Sequence, residues 1–212
     1  MVLFRMLVAC LGSFVLALPV GLAQAQAQDG PDVIIKRAVD EVTTAIKADR
    51  DIQNGNRHKI NALVDNKIVP YVNFQRMTQS AVGRHWSRAT PEQQQALTRE
   101  FKGLLTNTYA GAFSTYRPDT IFEYKPLRMQ PGDSDAVVRS TVKAGGGEPV
   151  QLDYYLEKFE GSWKVIDLNV LGARLVETYR NQFNSEIASN GIDGLIKALV
   201  AKNRTIEARS KS

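Results

Sequence analysis

Residues that perform covalent or metal chemistry are scarce in this 212-residue chain. There is one cysteine, Cys10, and it lies in the apolar opening stretch, so the chain beyond has no disulfide, thiol nucleophile or thiolate ligand. The two histidines, His58 and His85, fall in different predicted elements and are read as structural or surface residues. No H-E-x-x-H spacing, phosphate-loop pattern or G-x-S-x-G elbow occurs, which removes the common signatures of metal, nucleotide and acyl-transfer chemistry. Gly145-Gly146-Gly147 joins two predicted strands and opens no helix, so it reads as a hairpin loop and not a phosphate cradle.

Charge is also missing from the start of the chain. Arg5 is the only charge before Asp29, Met6 to Val20 is apolar, and Ala23-Gln24-Ala25 and Ala25-Gln26-Ala27 are small-x-small cleavage candidates. Residues 1–27 therefore read as a secretory signal peptide, too short and too early broken by Pro19 for a membrane span of ~20 residues. Its removal takes the net charge from +5 to about +4. For an exported chain a mild basic excess points away from nucleic acid, towards anionic headgroups, acidic partners or plain solubility.

What is present is ordinary globular composition, 43% hydrophobic and 23% charged, enough for one well-packed domain over residues 28–201. Helical periodicity covers residues 32–116. Ile35, Val39, Val42 and Ile46 form one stripe, Ile60 to Ile68 a second, and Phe74, Met77, Ala81 and Val82 a third that Asn73 can cap. Thr90-Pro91-Glu92-Gln93 is a capping-box start. The helix it launches at Pro91, whose apolar period runs from Leu97 to Tyr116, is about seven turns long.

After Pro118 the period falls to two. Strands are predicted over residues 120–129, 136–143, 149–159 and 163–170, joined by short turns that favour an antiparallel meander. The last strand looks apolar on both faces, with Trp163 and Val165 on one parity and Ile166, Leu168 and Val170 on the other. At Leu171-Gly172 it turns into an amphipathic helix carrying Val176, Tyr179, Phe183 and Ile187; after Asn190-Gly191 a final helix runs to residue 201, and the basic tail 202–212 reads as disordered. The fold class is α+β, a four-stranded curved antiparallel sheet covered on one face by long helices.

The carboxylates offer little to an enzyme reading. Asp49 with Asp51, Asp133 with Asp135, and Glu157 with Glu160 lie at helix ends, turns or exposed strand positions. Asp167 alone sits within an apolar strand, either as a carboxylate fixed by backbone donors or an arginine, or as the acid-base residue of a small cavity enzyme. The aromatic residues from Phe101 to Phe183 read first as core and second as the wall of a cavity, and periodicity does not separate the two.

Tyr71-Val72-Asn73-Phe74-Gln75-Arg76-Met77, Gly83-Arg84-His85-Trp86, Thr90-Pro91-Glu92-Gln93, Phe101-Lys102-Gly103-Leu104-Leu105 with Thr108-Tyr109-Ala110, and Trp163-Lys164-Val165-Ile166-Asp167 with Gly172, Leu175-Val176, Tyr179-Arg180 and Phe183 together resemble the MlaC family, also called toluene-tolerance proteins. Asn73 stands where an aspartate is expected, and Arg174 where a small residue is.

The resemblance implies a nuclear-transport-factor-like sheet and a non-catalytic carrier in the periplasm, with no cofactor and phospholipid as cargo. Its implied partners are an outer-membrane lipoprotein complex and an inner-membrane ABC transporter complex with an MCE-domain protein. The expected lipid-binding residues are Val72, Phe74, Met77, Trp86, Leu105, Tyr109, Phe113, Tyr154, Leu156, Val165, Leu168, Leu175 and Tyr179. Arg84, Arg139, Lys143, Arg174 and Arg180 are expected at the headgroup or a docking face. A chain of about fifteen methylenes costs on the order of 12 kcal/mol to expose to water, so lipid transfer needs a container and no bond chemistry. Another lipid, such as a hopanoid, is the near alternative.

Overall fold

The computed structural model describes residues 29–209. The signal-peptide expectation for residues 1–27 lies outside that range. Helix α1 (Pro31–Ala48) leads through α2 (Arg50–Gln53) to α3 (Arg57–Leu63), which continues as a π-helical turn over Val64–Ile68 and a 3-10 turn over Val69–Tyr71. Helix α4 (Phe74–Val82) starts where the Asn73 side chain accepts the Arg76 N–H at 2.9 Å. Helix α5 (Pro91–Tyr109) opens on the expected capping box, with both reciprocal hydrogen bonds between Thr90 and Gln93 present.

The seven-turn expectation for this helix fails at its end. It stops at Tyr109, and Gly111–Ser114 forms a separate helix, α6. The sequence period continues, but the break redirects Phe113 and Tyr116 from the α5 face onto a cluster made by Ile46, Ile52, Ile60 and Leu63.

The sheet is an antiparallel meander in the order β1 (Ile121–Tyr124), β2 (Asp135–Lys143), β3 (Val150–Phe159), β4 (Ser162–Val170) and β5 (Ala173–Arg174). The unforeseen fifth strand is two residues long, folded back on β4 by a turn in which Leu171 (φ 52°) and Gly172 (φ 88°) both take positive φ. The first strand is shorter than expected and ends at Tyr124.

Strand β4 holds the larger correction. Leu156 pairs with Val165 while the adjacent Tyr155 pairs with Asp167, so Ile166 is an extra residue, a β-bulge. The strand is therefore not apolar on both faces. The bulge returns Leu168 to the face of Trp163 and Val165, in whose cluster it packs, and leaves Ile166 on the outer face beside Arg139 and Tyr155.

Helix α7 spans Leu175–Arg209 with the expected break at Gly191, whose φ of 72° interrupts the helical backbone. The tail expected to be disordered is helical as far as Arg209. Within it Asn203 is buried and donates to the Glu100 carbonyl at 3.0 Å, and Ile206 packs on the main core. That core is made by α4, α5 and α7 around Phe101, whose ring meets Tyr179 and Phe183 edge-on at 5.1 Å each. A second cluster joins α1 to the inner face of the sheet through Ile34 and Ile35.

Candidate functional site

The strand register defines the inner face row by row. Ala136, Leu156 and Val165 lie side by side, then Val138, Tyr154 and Leu168, then Tyr124, Ser140, Leu152 and Val170, then Phe122, Val142 and Val150. The first row is buried under Ile34 and Ile35 of α1, and the segment before α4 is tied to the same end, because Val72 bridges Val165 and the Asn73 N–H donates to the Val165 carbonyl at 2.9 Å. Further along, cover thins. Val138 and Ser140 remain buried, but Tyr154, Leu168, Leu152, Val170, Val142, Val150 and Phe122 are only partly so. Half of an apolar sheet face is thus left incompletely covered.

The residues expected to bind lipid divide between core and surface. Met77, Trp86, Leu105, Leu175 and Tyr179 are packed into the helical core, and Leu156 and Val165 into the cluster under α1. Val72 and Leu168 touch both clusters, and Tyr154 adjoins the second. Phe74 and Val72 also line an open groove of about 680 Å³ between the start of α4, the first half of α5 and the β3–β4 hairpin, rimmed by Arg99, Lys102 and Lys164. Phe113 packs elsewhere, against the α2–α3 cluster, and Tyr109 is exposed. The sequence reading missed Leu152 and Val170. Their alternation was visible, but which rows the helices cover is a tertiary fact.

Polar groups on this face are neutral phenols and a hydroxyl. Burial pushes the phenols of Tyr124 and Tyr154 above the usual tyrosine range, and likewise those of Tyr109 at the end of α5 and Tyr179 on α7. They stay protonated at physiological pH and act as uncharged donors.

The cations do not converge. Arg139 and Arg174 share a groove of about 790 Å³ on the outer face of the sheet with Lys125, Arg128 and Asp135. Lys143 pairs with Glu123 at 2.7 Å, Arg180 donates to the Ser80 carbonyl at 3.2 Å on the helical side, and Arg84 is exposed after α4.

Asp167 is 2% exposed and lies on the face away from the open rows. Its Oδ1 accepts the Leu168 N–H at 2.8 Å and the Val176 N–H at 3.0 Å, and Oδ2 accepts Arg174 Nε at 2.8 Å. The Arg174 guanidinium also lies 4.2 Å from the Tyr155 ring centroid. Asp167 thus caps α7 from the neighbouring strand, matching the structural alternative of its two sequence readings. Among the described residues no group of three or more His, Cys, Asp or Glu side chains is arranged to hold a metal ion, and no helix is long and apolar enough to cross a membrane.

A curved antiparallel sheet with a partly covered apolar inner face, backed by helices and with its most buried described carboxylate committed to a helix start, defines the α+β class. The chain belongs to the MlaC protein family, whose model matches residues 36–201. It is 24% identical over 186 residues to the intermembrane phospholipid transport system binding protein MlaC of Haemophilus influenzae, covering 87% of each chain. It is 29% identical over 165 residues to toluene tolerance protein ttg2D of Pseudomonas putida, covering 77% of this chain and 75% of that one. A solved phospholipid-binding protein from Ralstonia solanacearum, in complex with a phospholipid, matches with a TM-score of 0.81 and 47% identity over 84% of this chain and 99% of that one.

Proposed function

We propose that this protein is a periplasmic phospholipid carrier. In this reading the open rows of the inner face, Tyr154 and Leu168 with Leu152 and Val170, receive the acyl chains, and Val72 and Phe74 extend the apolar surface towards the groove beside α5. Met77, Trp86, Leu105, Leu156, Val165, Leu175 and Tyr179 are the packed walls behind them, with Tyr109 and Phe113 at the α5–α6 end. The carrier takes lipid between an outer-membrane lipoprotein complex and an inner-membrane ABC transporter complex with an MCE-domain protein, and so maintains outer-membrane asymmetry. Arg139 and Arg174, on the outer face, serve docking and not the headgroup; the same role is open to Arg84, Lys143 and Arg180.

The observation that carries this reading is the apolar half-face left open in a chain whose relatives are named for phospholipid binding and transport. Apolar side chains left only partly covered across several neighbouring rows of one sheet face are the kind of surface that a ligand or partner covers. Native mass spectrometry of protein purified from a Gram-negative host tests it. A phospholipid adduct that Leu152→Asp removes, with circular dichroism unchanged, is the expected result. A hopanoid adduct shifts the cargo to that alternative, and protein that is lipid-free however gently prepared overturns the carrier reading. Asp167, saturated by three donors on the opposite face, gives the enzyme reading no support.

A further inference from the structure

One buried polar group is left without a partner beside the open rows. The Tyr124 hydroxyl is inaccessible to solvent and has no hydrogen-bond partner among the described residues. Tyr124 belongs to the inner face because it pairs with Ser140, whose neighbours across the sheet are Leu152 and then Val170. Helix α1 lies over it, with Lys36 Nζ 5.6 Å from the ring centroid and held there by Asp32 at 2.9 Å. Three other phenols are provided for: Tyr71 donates to Glu41 at 2.8 Å, and Tyr154 and Tyr179 are engaged by Ser140 and Thr108.

An unpaired hydroxyl in an apolar setting costs the protein its desolvation, and such a group calls for an explanation. On an acyl-chain surface the missing partner is an acceptor. The hydrocarbon of a lipid carries none, and a headgroup phosphate is too costly to bring into an apolar interior. The remaining acceptors of a diacyl lipid are its ester carbonyls, which are neutral and lie where the chains begin. We propose that the Tyr124 hydroxyl donates a hydrogen bond to an ester carbonyl of the bound lipid, so that the protein distinguishes diacyl from dialkyl chains. This inference rests on the carrier reading and adds to it a point of chemical specificity inside the apolar site.

The test compares uptake of a diester phosphatidylcholine with its diether analogue of equal chain length by wild-type protein and by Tyr124→Phe. The wild type is expected to prefer the diester roughly 5-fold, the worth of one net hydrogen bond. In Tyr124→Phe the ratio falls to about one, while the lipid-free variant melts no lower than the wild type because an unpaired donor has been removed. A preference that survives in Tyr124→Phe overturns the inference, as does wild-type protein that takes up both lipids equally. The wild-type comparison stands even if the variant does not fold. Wild-type protein that takes up neither lipid overturns the carrier reading and this inference together, whereas equal uptake overturns this inference alone.

Discussion

Asp167 on β4 and Val176 on α7 are joined by a hydrogen bond of 3.0 Å from the Val176 N–H to Oδ1, which ties the first turn of the helix to the sheet. Arg174, between them in sequence, closes the arrangement from the other carboxylate oxygen. Where a small residue is expected after the corner glycine, this chain has placed a cation that both pairs with Asp167 and stacks on Tyr155.

Asp167→Ala leaves two backbone donors without an acceptor and is expected to cost about 2–4 kcal/mol. Asp167→Asn, which keeps an acceptor, costs about half as much. Urea denaturation measures both; equal losses for the two variants contradict the capping role.

Leu171 is 68% exposed and takes a φ of 52° beside Gly172 at 88°, a pattern that suits Asn-Gly far better than Leu-Gly. Leu171→Asn is expected to stabilise the fold by about 1 kcal/mol. A lower melting temperature in this variant indicates that the leucine makes contacts that outweigh its strain.

The Glu41 carboxylate accepts Tyr71 Oη at 2.8 Å and Lys67 Nζ at 3.2 Å, and these hydrogen bonds, Tyr71 first, hold its pKa below the usual 4.5. A depressed carboxylate pKa contributes stability that is present above the unfolded value and disappears as pH falls through the folded one. Glu41→Gln is therefore expected to destabilise at pH 7 by less than about 1 kcal/mol, since the pair is partly solvent-screened, and to make no difference below both values. Matched melting curves at neutral and strongly acidic pH check the sign.

Deleting residues 203–212 removes the Asn203–Glu100 hydrogen bonds and the packing of Ile206. A loss of about 2 kcal/mol is expected, measured by chemical denaturation. No change returns the segment to the status of a dispensable tail.

Much of this architecture is legible in local pattern. The capping box at Thr90, the Asn73 cap, the meander and the break at Gly191 each depend on residues a few positions apart. The bulge at Ile166 does not, because alternation alone assigns Leu168 to the face opposite Val165, and only pairing with β3 reveals the extra residue. Periodicity likewise carries α5 through Tyr116, although the axis breaks at Tyr109. The tail misled through its polarity, since Asn203 is buried by a hydrogen bond that composition does not show. The same limit applies to the site. Periodicity marks Leu152, Tyr154 and Leu156 as one face, yet α1 covers Leu156 and leaves the first two partly open.

The central claim is that acyl chains lie on those open rows, and a crystal structure with a phospholipid brominated along its chains tests it most directly. Anomalous bromine peaks beside Leu152, Leu168 and Val170 are the expected result. Peaks confined to the outer-face groove at Arg139 and Arg174, or to the groove between α4 and α5, contradict the account.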